Sequence, residues 1–217
     1  MANPDGMARL LKLGVRNVPV VAKGDEYVFG QVLADVARVA GVRAPGQAAL
    51  SPAQYVEKWL FVLAAAERFV RQIPSDKLEE RAVANRDRSV RYLAFHVFRI
   101  AEAFLEVTEG TELSVELPNV APGETVRNGD DIAAYGEGIV HRVSQWWQRN
   151  EDQACERRVA TYYGEQPLRD VLERCVWHSA QHVRQIMALL ERWGIAPDRP
   201  VTDADLAGLP LPKGVWE

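Results

Sequence analysis

The sequence predicts a mainly α-helical protein, a four-helix bundle carrying a small helix–hairpin–helix appendage at its N-terminus. Three observations lead there. Four stretches after residue 50 repeat apolar residues at three- and four-residue spacing, each presenting one apolar face. Strong breakers interrupt or end them: Pro74, Gly110, and Gly194 followed by Pro197. The first 45 residues follow another pattern, with two short β-like runs on either side of Lys23-Gly24-Asp25.

Taken in order, Asn3-Pro4-Asp5 reads as a helix start, with Asn3 as the cap and Pro4 in the first turn. Gly14 ends that helix. Strands are expected over Val18–Ala22 and Glu26–Phe29, and a short helix then ends at Gly41. This unit, residues 1–45, is too small to bury a core alone. An Ala-, Gly- and Pro-rich linker leads to the bundle, expected over residues 50–197. Ser51-Pro52 starts its first helix, where Tyr55, Trp59, Val62, Leu63, Ala66 and Val70 share a face, and Pro74 stops it. A polar loop over Ser75–Asp87 precedes the second helix, from about Arg88 to Val107. The third is expected from an Asp130 cap to about Gln148, weakened in its middle by Gly136 and Gly138. A connector of strand character follows at Cys155–Tyr163. Gly164–Pro167 opens the fourth helix, which runs to Trp193. Residues 198–217 form a proline-containing tail expected to lie on the surface.

Composition narrows the function. The 217 residues carry 26 basic and 30 acidic side chains, a net charge of −4, so no nucleic-acid partner is expected. No apolar run approaches the ~18 residues of a membrane span, and the N-terminus lacks the apolar core of a signal peptide. The two cysteines, Cys155 and Cys175, make no disulfide framework. A cytoplasmic protein is expected, and a homodimer.

Chemistry concentrates in the histidines, of which there are four. His178 and His182 stand four apart on the last helix, which places two imidazoles on one face roughly 6 Å apart along the axis. The second helix adds His96. Three inward histidines from two helices suit a divalent metal with open positions. Such a pair also arises by chance, and a mid-helix histidine can be a hydrogen-bonded core residue instead. The metalloprotease motif is excluded because Ser179 stands where its glutamate would be. The di-iron Glu-x-x-His pairs are absent too, and Glu137 with His141 is spaced wrongly for one. Around the histidines, Cys175 shares their face, as a fourth ligand, a nearby thiol or a core cysteine. Gln181 and Gln185 could orient ligands or line a polar face. Arg99 and Arg184 could hold a substrate carboxylate or be solvated charges. Trp146 and Trp147 could line a pocket.

The stretches VRYLAFHVFRIAEAFLE and YYGEQPLRDVLERCVWHSAQHVRQIMALLERWGI resemble the DinB/YfiT-like superfamily of metalloenzymes, over about residues 50–195. That family has one histidine on its second helix and two, four apart, on its fourth, often followed by a glutamine. His96, His178, His182 and Gln185 fall on those positions, and Trp193-Gly194-Ile195 on the closing one. The resemblance implies a DinB-like bundle in which the three histidines bind a divalent metal, zinc first, with nickel, iron or manganese as alternatives. Characterised relatives depend on thiols, as bacillithiol S-transferases or mycothiol-dependent enzymes. A metal-dependent thiol S-transferase is therefore expected, taking a low-molecular-weight thiol and a small electrophile. The rival expectation is a non-catalytic, stress-associated metal- or ligand-binding bundle. Residues 1–45 resemble the C-terminal half of a glutaredoxin-like thioredoxin fold through Val18-Pro19, Gly24-Asp25 and Gly30. No cysteine precedes residue 155, so that resemblance carries no redox chemistry with it.

Overall fold

The computed structural model describes residues 4–15, 20–24, 26–30, 33–41, 50–83 and 87–216. The expected Asn3 cap, the Val18-Pro19 dipeptide, Asp25 of the turn and the linker at 42–49 lie outside the described residues. Two compact units divide the chain, at residues 1–48 and 49–217.

The first unit holds α1 (Pro4–Lys12), β1 (Val20–Lys23), β2 (Glu26–Phe29) and α2 (Leu33–Ala40). β1 and β2 pair antiparallel in a register that sets Val20 opposite Phe29 and Lys23 opposite Glu26. Among its described residues Val15, Ala37 and Val39 are buried.

The second unit is built on α3 (Pro52–Gln72), α4 (Val90–Thr108), α5 (Gly129–Arg149) and α6 (Leu168–Arg192). Local chemistry sets their starts. Ser51 and Gln54 form a reciprocal capping box on α3. Ser89 accepts from the Tyr92 amide at 3.1 Å on α4. The cap of α5 is Asn128, which accepts from the Asp131 amide at 2.9 Å, rather than the expected Asp130. An asparagine oxygen does the same work as a carboxylate there, leaving Asp130 and Asp131 to meet the helix dipole from the first turn. The segment 164–167 does not belong to the last helix. Gln166–Pro167 is a short strand, β4, paired with β3 (Arg158–Val159), and α6 begins immediately after it. At the far end Gly194 takes φ +75°, and Ile195 donates to Leu190 at 2.9 Å, closing the last turn.

The helices pack in a ring in which α3 touches α5 and α6, and α4 touches the same two. Consecutive helices α3 and α4 therefore lie across a diagonal, as do α5 and α6. This order makes α4 a neighbour of α6. The interior is filled by Trp59, Phe69, Phe98, Phe104, Ile132, Leu172 and Leu189, all fully buried. Gly136 has a packing reason as well as a propensity cost. A methyl group there would sit 2.5 Å from the Phe98 ring, so only glycine lets that ring lie against α5. Trp59 of α3 donates to Ser179 Oγ at 3.0 Å, and Ser179 donates to the Val97 carbonyl at 3.2 Å. Three helices are thus tied at one buried point. Among the described residues no helix is long and apolar enough to cross a membrane.

Candidate metal centre

The buried tie places the histidines. Ser179 follows His178 on α6, and Val97 follows His96 on α4, so the bond between them draws two of the three imidazoles to one spot. Ring centroids stand 5.4 Å apart for His96 and His178, 5.2 Å for His96 and His182, and 4.7 Å for His178 and His182. One ligand nitrogen from each lies within 4.8 Å of the others. Nitrogens at about 2.1 Å from one ion would be roughly 3.3 Å apart, so small ring rotations close the set.

The surroundings fit a cation. His96 is 1% exposed and His182 7%, with His178 half-buried. The His96 Nδ1 is enclosed and has no hydrogen-bond partner among the described residues, an uncommon state for a buried polar atom. His182 is oriented by a relay. The Gln185 amide nitrogen donates to the Val215 carbonyl at 3.0 Å, which turns its oxygen toward His182 Nδ1 at 2.8 Å. A proton on Nδ1 satisfies that oxygen and leaves Nε2 with its lone pair, the tautomer a metal ligand needs. Replacing Gln185 with leucine is expected to weaken metal binding about 10- to 100-fold while leaving helicity unchanged, as measured by competition with a chelator dye. Unchanged affinity would show that the glutamine does not act through His182.

Burial keeps two of the rings neutral. Burial is the main cause that pulls His96 down to about 3, helped by the neighbouring His182 and Arg88. Burial likewise holds His178 well below the ordinary range, with His182 and His96 adding to it. Neutral imidazole is the ligand form, so metal need not displace protons near pH 7. A pH dependence follows. In the metal-free protein His96 stays neutral in the fold while the unfolded chain protonates near 6.5, so the unfolded state binds more protons below that pH. Stability is full above pH 6.5 and falls as pH drops toward 3. Near pH 5 His96 alone should account for a loss of about 2 kcal/mol. Denaturant melts from pH 7.5 to 5 should show the slope, and His96→Gln should flatten it.

The other expected site residues divide. Gln185 works as described. Gln181 is not at the ligands: it donates to the Val215 carbonyl at 2.6 Å and accepts from Arg184, which also donates to the Pro212 carbonyl at 2.9 Å. These side chains strap the tail at 212–216 onto α6. Arg99 is committed elsewhere, to Glu102, both oxygens of Glu106 and the Leu117 carbonyl, and is nearly fully buried. It is neither a solvated charge nor a substrate clamp. Cys175 is buried outside the ligand cluster, and burial pushes its thiol up to about 12. His141 pairs with Gln145 on the surface. Two features escaped the sequence reading. The tail supplies Trp216, which with Val83, Arg88, Leu93, His182 and Gln185 lines a cleft of about 40 Å³ beside His182. Arg174 stands one turn before His178, a position that helical arithmetic from His178 would have picked out. A larger depression of about 600 Å³, between Leu105, Trp146 and Arg157, shares no residue with the cluster. Trp146 lines it, but the ligands lie elsewhere.

Comparison with known proteins agrees with the helical-bundle fold. The family described as the DinB superfamily matches residues 58–186, more than half the chain. Among solved structures, YfiT from Bacillus subtilis superimposes with a TM-score of 0.54 at 18% identity, covering 71% of this chain and 96% of its own. It is described as a probable metal-dependent hydrolase with an unusual four-helix bundle topology. At that identity the likeness concerns the fold. No curated protein matches the chain.

Proposed function

This chain belongs to the DinB superfamily, and we propose that it is a divalent-metal-dependent enzyme whose centre is His96, His178 and His182. The observation that carries the reading is the convergence of these three side chains, with the His96 Nδ1 buried and without a hydrogen-bond partner among the described residues. A cation held there would supply Lewis acidity, lowering the pKa of a coordinated thiol or water. Three neutral nitrogens leave coordination positions open and suit zinc, with nickel, iron and manganese as the other candidates.

The specific activity proposed is thiol S-transfer: a low-molecular-weight thiol gives its proton to water, and its sulfur bonds to an electrophilic carbon as the leaving group departs with its electron pair. The chain's own residues prepare that step. Gln185 holds the His182 tautomer, and Leu93, Val83 and Trp216 give the cleft an apolar wall that limits water. Arg88, on the same wall, favours a negatively charged nucleophile. Likeness to YfiT favours hydrolysis as a second reading, in which water takes the place of the thiol.

The test is turnover of an electrophile and ester panel by metal-loaded protein, with and without added thiols. Turnover that needs both metal and thiol supports S-transfer. Metal-dependent turnover without thiol supports hydrolysis. Metal binding with no turnover of any kind would return the protein to the class of non-catalytic binding bundles.

A further inference from the structure

Arg174 is a half-buried cation whose fork the fold leaves incompletely matched. Its guanidinium lies over the rings of Tyr162 and Tyr163, at 5.7 and 5.5 Å, and Nη2 donates to the Tyr162 hydroxyl at 3.2 Å. The other nitrogen, Nη1, is enclosed and has no hydrogen-bond partner among the described residues. Among the described residues Arg174 forms no ion pair. The contrast with Arg99 is informative. That buried arginine has two glutamates and a carbonyl on its fork. An enclosed N–H left without an acceptor costs free energy unless something meets it.

Position suggests what does. Arg174 is four residues before His178, hence one turn away on the same face of α6. The wall around it is shared with the metal centre. Leu113 and Thr161 form a bridge, joining the loop that carries Pro118, whose backbone meets His96, to the segment carrying Tyr162 and Tyr163. Arg88 adds a second guanidinium at the cleft, held by Asn119 at 3.2 Å and by the Tyr92 ring. Among the described residues the ligand cluster contains no carboxylate. Three imidazoles with two guanidinium groups nearby would, with a dication bound, form a positive site suited to an anionic ligand.

We propose that the molecule bound at this centre is a carboxylate-bearing anion, its carboxylate accepting from Arg174 Nη1 while another donor atom reaches the metal. The proposal rests on the three-histidine centre described above. A planar guanidinium with one free nitrogen accepts a carboxylate oxygen in a charge-assisted bond, the strong class of hydrogen bond.

Cobalt(II)-loaded protein is titrated with mercaptoacetate and, separately, with 2-mercaptoethanol, following the sulfur-to-cobalt absorption band. The wild type should bind mercaptoacetate at least about tenfold more tightly, and Arg174→Gln should remove that preference while retaining cobalt. Arg174→Lys should restore part of it. Equal affinity for the two thiols in the wild type overturns the proposal without any variant, as does a preference that survives in Arg174→Gln. Should the wild type bind no cobalt, the three-histidine centre itself fails. Calorimetry of mercaptoacetate on metal-free protein then decides the role of Arg174: heat that vanishes in Arg174→Gln supports it, and no heat overturns it.

Discussion

Replacing His178 with alanine is expected to give a folded bundle that no longer retains a divalent cation. Wild-type protein should hold about one equivalent per chain after dialysis, and the variant less than a tenth of that. The affinity should fall by about three orders of magnitude, roughly 4 kcal/mol, because one of three nitrogen donors is lost and the two that remain come from different helices. Stability of the metal-free variant should change little, since His178 is half-buried and its ring is an unfavourable place for a proton. Metal analysis after dialysis, paired with thermal melts, separates the two effects. A variant that keeps a full equivalent of metal would remove His178 from the centre.

Truncating Trp59 to alanine should cost about 4 kcal/mol, the second large effect, although the residue touches no ligand. The indole is fully buried, meets Phe104 edge-to-face at a centroid distance of 5.3 Å, and holds Ser179 through its N–H. Trp59→Phe keeps most of the packing and loses the hydrogen bond, so about 1 kcal/mol is expected, together with a measurable drop in metal affinity as Ser179 is freed beside His178. Urea melts of the metal-free protein followed by helical circular dichroism give the first quantity, and dye competition gives the second. A loss under about 2 kcal/mol for the alanine variant would mean that the core collapses around the vacancy.

Helix identities were legible in the residues because each rests on local chemistry. Ser51-Pro52 and Gln54 spell out a cap, Pro74 and Gly194 spell out ends, and the apolar spacing of α3, α4 and α6 names their inner faces. The exchange of Asn128 for Asp130 at the start of α5 shows the grain of such reading: both side chains can cap, and a two-residue shift changes no periodicity. Gln166 and Pro167 were harder. A two-residue strand exists only because Arg158 and Val159 are there to pair with it, and nothing local signals that.

The histidines divide along the same line. His178 and His182 share a face by helical geometry alone, and their pairing is visible in the chain. His96 joins them only because α4 sits beside α6, an order set by the diagonal crossing of α3 over α4 and by the Trp59–Ser179–Val97 tie. Arg99 and Arg174 look alike as letters near a ligand, yet one is neutralised by Glu102 and Glu106 and the other is left open. The amino-acid sequence by itself determined the elements, their inner faces and the residue types able to bind a metal, since those depend on neighbours a few positions away. Tertiary structure decided which helices adjoin, which charges are already answered and that Val215 reaches back to steady His182 through Gln185, because each of these depends on residues far apart in the chain meeting in space.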